Sequence, residues 1–464
     1  MRRFVTTILV LSFFFACSTI NDLPKHYSIN EWKVKKIPSY SQQTGGDAAQ
    51  GLEYLINGDY IGSGVPLTFY GDRFSVRDTV LNRKGVNANL PYVLTAFTAA
   101  NGVEVMSGNC FTCHAAAVNG QTILGLGNHL SDYDKNWSQL ASLVNLGMKL
   151  KYRKDSKEWK AYEDFGHYFK AMAPTIETNQ FGVNPAFRLA EACMNYRNPS
   201  DLSYQEEPNY EMTAYPIATD VPPLWNVKKK NGLYYNGIGR GDFTKLLFQA
   251  SVLGISDSTA ARHAVQQFKH VLAWLEELEP PRYPFPIDQE KAAKGKIIFE
   301  KNCSKCHGTY GEEETYPNKI IALEVIKTDP SYAIYATESG IVDWYNKSWF
   351  AQTSPKSFFE PSLGYIAPPL DGIWASAPYL HNGSVPNIYS LLNSSHRPKY
   401  WSRNIDQIIY DPINVGWIYN IEKKKKSKTT YDTTLPAYSN RGHYFGDKLS
   451  EQARIDLLEY LKTI

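Results

Sequence analysis

The sequence predicts a mainly α-helical protein made of two domains of one kind, the first of them enlarged by a long insertion. Three observations support this fold class. A Cys-x-x-Cys-His pattern occurs twice, at residues 110–114 and 303–307. Each half of the chain ends in a segment whose apolar residues recur at helical spacing. Between the halves, four prolines fall within residues 280–286, which excludes a helix interior and predicts a stiff linker.

The repeated pattern is the attachment signature of c-type haem. Two cysteines one turn apart can form thioether bonds to both vinyl groups of one porphyrin, and the next residue is then placed to ligate the iron. The predicted attachment residues are Cys110 and Cys113 for one haem and Cys303 and Cys306 for the other. The predicted axial ligands are His114 and His307. A zinc ribbon or a redox dithiol is the competing interpretation, but the pairs are far apart in the chain and each carries its own histidine.

The first residues of the chain predict export. Two arginines precede an apolar run over residues 4–15, which is too short to be a typical membrane span. Ala16 then precedes Cys17, as in a bacterial lipoprotein signal, so Cys17 is expected to be lipidated. Phe15 departs from the commonest form of that signal, and ordinary cleavage is the alternative. Either route predicts a location in the bacterial cell envelope, facing the periplasm or the cell surface.

The predicted organisation follows from these features. Residues 1–17 form a signal peptide, 18–89 an N-terminal extension, 90–279 a first haem domain, 280–287 the linker and 288–464 a second haem domain. Both haem domains are expected to be cytochrome c-like, because each combines a haem motif with a closing amphipathic helix.

Helix starts and faces are predicted from capping residues and periodicity. Before the linker, Val265, Phe268 and Leu272 fall on one helical face. After it, Asp288 predicts the start of a helix that leads into the second motif, and Ser450 predicts the start of the final helix.

Bulk composition excludes one class of partner. The 464 residues carry a formal net charge of only +3, so nothing predicts nucleic-acid binding. The Lys423–Lys426 run is interpreted as a solvated loop. Aromatic residues make up 14% of the chain, which suits walls around flat cofactors and ordinary packing equally well.

The order of residues argues against methionine as the sixth ligand of the second iron. A distal ligand in a small cytochrome domain normally follows the motif, and no methionine follows Cys306. The histidines available there are His381, His396 and His443. His443 is preferred, because its loop is flanked by glycines that allow close approach to a porphyrin face.

For the first haem no donor stands out. The histidines that follow its motif in the first half are His129, His167, His263 and His270, and four methionines follow it as well. The distal face of this haem is therefore predicted to be open, which would make it the reactive centre. An open iron can bind O2 or peroxide, whereas a six-coordinate iron suits electron transfer.

With these motifs the chain resembles the di-haem cytochrome c peroxidase superfamily, and within it the rubber oxygenase type of di-haem protein. The resemblance extends from about Leu90 to the end. Its most specific segment is Ala375–Pro386, which includes Pro-Tyr-Leu-His-Asn-Gly-Ser. Further segments that carry it are Asp-Val-Pro-Pro-Leu-Trp at 220–225, Gly-Arg-Gly-Asp at 239–242, Thr-Tyr-Pro-Asn at 315–318, Thr-Asp-Pro at 328–330 and Gly-His at 442–443.

The resemblance implies roles for individual residues. In the rubber oxygenase type the N-terminal haem binds dioxygen on an open face, and the C-terminal haem has two histidine ligands, the distal one corresponding to His443. Classical peroxidases use methionine there, so this chain departs from them. His381, Arg240 and Trp225 are expected near the haems or their propionates. Lys228–Lys230 is expected either to neutralise propionates or to form a solvated basic turn.

The resulting functional prediction is an exported di-haem c-type cytochrome in redox chemistry. O2 or H2O2 would be activated at the first haem, and the second haem would relay electrons. One alternative is a non-catalytic, membrane-anchored electron carrier with both irons six-coordinate, and another is an adaptor haem protein in a polymer-uptake complex. The expected partners are the membrane, through lipid on Cys17, and a redox protein. No substrate is predicted.

Overall fold

The computed structural model describes residues 34–71, 77–212 and 217–464. Its fold is mixed, with 41% helix, 14% strand and several small sheets. The prediction of a mainly α-helical protein with two cytochrome c-like domains is therefore wrong. The predicted signal peptide and Cys17 lie outside the described residues.

Helices of very different length run through the described part of the chain. In chain order they are α1 (Ala48–Asn57), α2 (Leu67–Tyr70), α3 (Trp137–Lys151), α4 (Lys157–Met172), α5 (Ala186–Asn195), α6 (Phe243–Phe248), α7 (Ser258–Glu277), α8 (Gln289–Asn302), α9 (Ser304–His307), α10 (Leu323–Ile326), α11 (Ser331–Glu338), α12 (Ile341–Lys347), α13 (Trp349–Gln352), α14 (Ile388–Leu392) and α15 (Glu451–Leu461). Short 3-10 helices cover Gly85–Asn89, Cys110–Thr112, Ala173–Thr175, Leu224–Lys229, Gln249–Gly254, Ile373–Ala375, Ser394–His396 and Tyr444–Gly446. In the same residues, none of the helices is both long and apolar enough to cross a membrane.

The strands are short and pair antiparallel. In chain order they are β1 (Val34–Lys36), β2 (Val65–Pro66), β3 (Leu94–Thr98), β4 (Glu104–Gly108), β5 (Ala115–Val118), β6 (Gln121–Leu124), β7 (Gly239–Gly241), β8 (Lys319–Ala322), β9 (Ser357–Phe359), β10 (Gly364–Ile366), β11 (Tyr400–Ser402), β12 (Tyr410–Asp411), β13 (Gly416–Trp417), β14 (Asn420–Ile421) and β15 (Thr430–Asp432). The three-stranded sheets have the orders β1-β8-β10, β14-β11-β15 and β2-β4-β3, and the two-stranded ones are β5-β6, β7-β9 and β12-β13.

Strands surround the first motif because local turn chemistry favours hairpins there. Strands β5 and β6 pair with Val118 opposite Gln121, so Asn119 and Gly120 form a two-residue turn. Both turn residues have positive φ, 50° and 76°. An Asn-Gly turn of this type is a strong hairpin signal, and the helical prediction overlooked it.

The two halves of the chain share sheets and cores. Strand β1, from the predicted N-terminal extension, pairs with β8, and β7 pairs with β9 from the other half. The largest apolar core combines residues such as Phe187 and Phe268 with Tyr335 from beyond the linker. The two halves are therefore packed together rather than separate. The predicted domain limits in the sequence stay predictions.

Two pairs of helices cross at glycines. Where α1 meets α7, a Cβ added to Gly51 would lie 2.0 Å from the His270 carbonyl oxygen. Where α8 meets α15, a Cβ on Gly295 would lie 2.0 Å from the Asp456 carbonyl oxygen. Any side chain at these positions would push the helices apart.

Several predicted local features are confirmed. Asp288 caps α8 by accepting a hydrogen bond from the Lys291 amide at 3.1 Å. Ser450 caps α15, and the predicted stripe on α7 is buried. The Pro-rich segment packs on the second half, where the Pro281 carbonyl accepts from the Trp374 indole at 2.9 Å.

Candidate haem-binding sites

The second motif lies at the end of a helix. After α8 the chain makes one further helical turn, α9, and the His307 amide donates to the Cys303 carbonyl at 3.0 Å. His307 Nδ1 lies 2.8 Å from the Pro368 carbonyl oxygen. A hydrogen bond from Nδ1 to a carbonyl fixes the ring and leaves Nε2 as the ligating nitrogen, which is the usual second-sphere arrangement of a metal-bound histidine.

The rings of His443 and His307 lie close to each other, at an interplanar angle of 58°. The two ring centroids are 6.2 Å apart. Two imidazoles that ligate one metal, each through a bond of about 2 Å and with about 1.1 Å from nitrogen to ring centre, would have ring centres at most about 6.2 Å apart. The separation is compatible with a haem iron that takes two histidine ligands, and the assignment of His443 as the distal ligand stays a prediction.

The loop before His443 is held in an unusual backbone conformation. His443 has φ 50° and ψ 51°, and Gly442 has φ 82°. A Cβ on Gly442 would lie 2.2 Å from the Thr328 amide nitrogen, so only glycine fits. The His443 amide donates to the Ile326 carbonyl at 2.7 Å, which fixes the loop against the end of α10.

Arg397 clamps this loop in place, and no sequence pattern predicted that role. Its guanidinium is largely surrounded by protein and donates to backbone carbonyls of helix α14 and of the loop that contains His443. Those oxygens belong to Ser390 (3.1 Å), Leu391 (2.8 Å), Asn440 (2.7 Å), Gly442 (2.6 Å) and His443 (3.2 Å). No local sequence pattern predicts such contacts, because they join segments distant in the chain.

Both imidazoles are held in the neutral form that ligates metals. Burial, the neighbouring His307 and Arg397 together lower the pKa of His443 to about 3. Burial also lowers the pKa of His307, and the Pro368 carbonyl opposes this effect.

The first motif lies between a strand and a hairpin. Strand β4 leads into it, and Asn109 caps the short helix Cys110–Thr112 by accepting from the Phe111 amide at 2.9 Å. The His114 amide donates to the Cys110 carbonyl at 2.9 Å, the same turn as in the second motif. From a distant segment, the Asn184 side-chain amide donates to Cys113 Sγ at 3.3 Å.

His114 differs from His307 in its surroundings. Burial lowers the pKa of His114 to about 4; the nearby Pro222 carbonyl opposes this effect and Lys230 adds to it. The Pro222 carbonyl lies close to the ring, but no hydrogen bond of ordinary geometry is made to the buried Nδ1. Among the ring contacts of the described residues, His307–His443 is the one that joins two histidines, and none of them involves His114.

Trp225 contacts two segments, one hydrogen-bonded to the first motif and one that follows Pro368 in the chain. Its ring lies within 3.5 Å of a Cβ built on Gly125, whose amide donates to the His114 carbonyl at 2.8 Å. On the other side the ring lies within 3.3 Å of a Cβ built on Gly372, and the indole N–H donates to the Asp371 carbonyl at 2.8 Å. Trp225 therefore contacts backbone linked to each motif.

The route from Trp225 to the second motif is short. The next residue, Asn226, donates to the Pro369 carbonyl at 3.1 Å. Pro368, the neighbour of Pro369, is the residue whose carbonyl faces His307.

His381 is buried where the halves meet. Its ring stacks on Tyr365 at 4.1 Å, and its carbonyl accepts from the Asp220 amide at 2.7 Å. Burial lowers the pKa of His381 to about 4, with Asp329 opposing. The ring contacts described for His381 are with Tyr235 and Tyr365 and not with His307.

Arg240 lies apart from both motifs in the contacts described for it. It is fully buried in β7, and its Nε lies 4.0 Å from a Glu360 carboxylate oxygen. Its guanidinium nitrogens have no hydrogen bonds within the described residues. A propionate contact for Arg240 stays a prediction.

The three lysines of the basic turn Lys228–Lys230 have different contacts. Lys228 pairs with Glu279, and Lys229 pairs with Glu314 and Asp371. Lys230 instead lies near His114, and burial lowers its pKa to about 8.

The histidines that follow the first motif in the first half of the chain have other surroundings. His263 is exposed on α7, and His270 Nδ1 accepts from the Asp47 amide at 2.9 Å. His167 stacks on Tyr204 at 4.4 Å. His129 is buried and contacts Trp417 and Arg403.

The cysteine surroundings argue against the competing chemistries. Burial raises the pKa of Cys110 and Cys303 to about 11, whereas redox dithiols have lowered values. Among the described residues, no three His, Cys, Asp or Glu side chains form a group that could hold a bare metal ion. A haem iron needs no such group, because the porphyrin supplies the equatorial ligands.

Comparisons with known proteins agree with a cytochrome relationship. Residues 364–402 match the family model described as RoxA-like, cytochrome c-like. This segment runs from β10 to β11 and includes Pro368 and Arg397. The match supports a relationship to RoxA-like cytochromes and a c-type cytochrome role, and it suggests haem as the cofactor.

Two proteins of Sinorhizobium fredii are also similar to this chain. The uncharacterized protein y4iM is 25% identical over 309 residues, which cover 58% of this chain and 69% of y4iM. The uncharacterized protein y4iJ is 29% identical over 253 residues, which cover 40% of this chain and 41% of y4iJ. The chain therefore spans less than half the length of y4iJ, and the names of the two relatives assign no activity.

Proposed function

We propose that this chain is an exported di-haem c-type cytochrome with unequal centres. The second motif would hold a haem with two histidine ligands, His307 and His443, which relays electrons. The first would hold a haem with an open distal face, at which O2 or H2O2 is activated. When bound, the haems supply the one-electron and oxygen chemistry.

The observation that carries this proposal is the facing pair His307 and His443. Their 6.2 Å separation matches the span of two imidazoles on one metal. The Pro368 carbonyl orients one ring, and the loop clamped by Arg397 presents the other. Both rings stay neutral, which keeps a ligating nitrogen available on each.

The difference between the two motifs supports unequal roles. No ring contact among the described residues joins His114 to another histidine, whereas His307 has one with His443. An iron with one protein ligand can take an exogenous ligand, and an iron with two histidines has a low potential and suits electron transfer. This contrast favours an enzyme over a carrier with both irons six-coordinate.

Residues of this chain would couple the two centres. Trp225 is packed between backbone attached to each motif, and its hydrogen bond to Asp371 fixes its ring. Lys230 lies beside His114 and carries the positive charge that a propionate would need. Other cations of that turn already have carboxylate partners.

The proposal is tested on the purified, exported chain. A pyridine haemochrome assay and the intact mass should report two covalent haems per chain. Oxidised and reduced spectra with cyanide and CO should show that one haem binds added ligand and the other stays low-spin. Two haems that both refuse ligand would indicate the electron carrier, and a mass equal to the polypeptide alone would refute haem attachment.

A further inference from the structure

Helix α3 carries apolar side chains on two opposite faces. Ala141 and Met148 are buried and attach the helix to the rest of the molecule. The opposite face carries exposed leucines, which are Leu140 (45% exposed), Leu143 (58%), Leu146 (53%) and Leu150 (80%). Their spacing of three or four residues places them on one stripe along the helix.

This outward stripe is unusual for a helix on the surface of a protein. A helix facing water normally shows polar residues there, and an exposed apolar patch indicates an interaction surface. The stripe protrudes, since Leu150 is 80% exposed, so it does not form a groove that would receive a complementary side chain. A protruding stripe of leucines can insert into a fluid apolar medium.

The charges around the C-terminal end of α3 indicate the charge of the partner. From residue 149 to 160 the chain carries six basic residues and two acidic ones. The exposed basic residues are Lys149, Lys151, Arg153, Lys154, Lys157 and Lys160. Arg153 pairs with Asp155 and Lys151 donates to the Thr68 carbonyl, and the remaining excess of positive charge complements a negatively charged surface.

We propose that α3 lies flat on the surface of an anionic lipid bilayer. Leu143, Leu146 and Leu150 would enter the boundary between headgroups and acyl chains, and Lys149 and Lys154 would contact anionic headgroups. Helices that combine an apolar stripe with flanking lysines bind membranes in this way. The proposal does not depend on the haem sites or on lipidation of Cys17.

Vesicle flotation tests the proposal without any lipid anchor. A form of the chain that begins at Ser18 is exported behind a cleavable signal and is purified with its cofactors. This form keeps every residue that the structure describes. It is mixed with phosphatidylcholine vesicles that contain or lack phosphatidylglycerol. We expect binding to the anionic vesicles to be at least about tenfold stronger than to the neutral ones.

Matched variants separate the apolar and the charged contributions. Leu143→Gln/Leu146→Gln/Leu150→Gln should lower binding about tenfold or more, and Lys149→Gln/Lys154→Gln about fivefold or more. The controls are Ile413→Gln/Ile421→Gln, at isoleucines that are 75% and 72% exposed, and Lys423→Gln/Lys424→Gln. Neither control should change binding.

Three results would overturn the proposal. One is that the wild-type chain does not float with anionic vesicles. Another is that the leucine variant binds as well as its control. The third is that sedimentation without lipid shows a dimer that the leucine variant dissociates, because a second copy of the chain would then cover the stripe.

Discussion

At the scale of single residues, the facing rings of His307 and His443 depend on backbone geometry more than on the histidines themselves. His443 is reached through Gly442, at which no Cβ fits. Arg397 then fixes the loop through its carbonyls. The flanking glycines led to the prediction of His443, but no sequence pattern pointed to Arg397, because a buried guanidinium that binds backbone oxygens leaves no local pattern.

Removing His443 should change one haem and leave the other as it was. In His443→Ala the second iron loses its distal ligand, so the low-spin signal that this haem contributes should become high-spin in the electron paramagnetic resonance spectrum. His443→Met should stay low-spin and raise the reduction potential of that haem. The exposed His396→Ala is the control, and an unchanged spectrum in His443→Ala would contradict the assignment.

Arg397 is predicted to be a positioning residue. Lysine cannot reproduce a planar fork that serves several carbonyls, so Arg397→Lys should loosen the His443 loop while the haems remain attached. The low-spin signal of the second haem should then be lost at a higher pH during acid titration than in the wild type. The exposed Arg441→Lys should titrate like the wild type, and identical profiles for both variants would refute the clamp.

At the scale of elements, glycine sets how closely helices approach. The crossing of α8 and α15 brings Gly295 against the Asp456 carbonyl, and α1 and α7 cross in the same way at Gly51. The sequence predicted the helices from their caps and stripes, because those signals are local. It did not predict the β5–β6 hairpin, although Asn119 and Gly120 carried the signal.

Adding one methyl group at the helix crossing should destabilise the fold. In Gly295→Ala the new Cβ meets backbone that cannot rotate away, so we expect the free energy of unfolding to fall by about 1–3 kcal/mol. This loss should outweigh the gain in helix propensity of about 1 kcal/mol. Denaturant unfolding of the haem-loaded protein measures it.

Ile297→Ala is the matched control for that prediction. It lies on the same helix and is 69% exposed, so its effect should stay within about 0.5 kcal/mol. An unfolding midpoint for Gly295→Ala at or above the wild-type value would show that the two helices separate without cost.

At the scale of the whole molecule, the two halves meet around buried polar groups. His381 and Asp329 come from the second half and lie against Asp220 and Tyr235 from the first. Burial lowers the pKa of His381 from 6.5 to about 4, and the ring is therefore neutral near pH 7. This junction links the two candidate haem sites into one structure.

The junction predicts a dependence of stability on pH. Between about pH 6.5 and 4 the unfolded chain binds a proton that folded His381 does not, so the free energy of unfolding should fall as pH drops through this range. His381→Asn should remove about 1–3 kcal/mol of that fall, seen as a shallower slope in urea unfolding between pH 7 and 5. His396→Asn should keep the wild-type slope, and parallel slopes for both variants would contradict the prediction.

The sequence by itself determined the features that depend on neighbouring residues. In both motifs the histidine amide bonds to the carbonyl of the first cysteine, a turn that the Cys-x-x-Cys-His spacing already implies. Helix caps at Asp288 and Ser450 were equally local. Only the tertiary structure brought the His443 ring close to His307, placed Trp225 against Gly125 and Gly372, and joined the two halves in shared sheets. Those arrangements join residues far apart in the chain, and no local pattern encodes their separation in space.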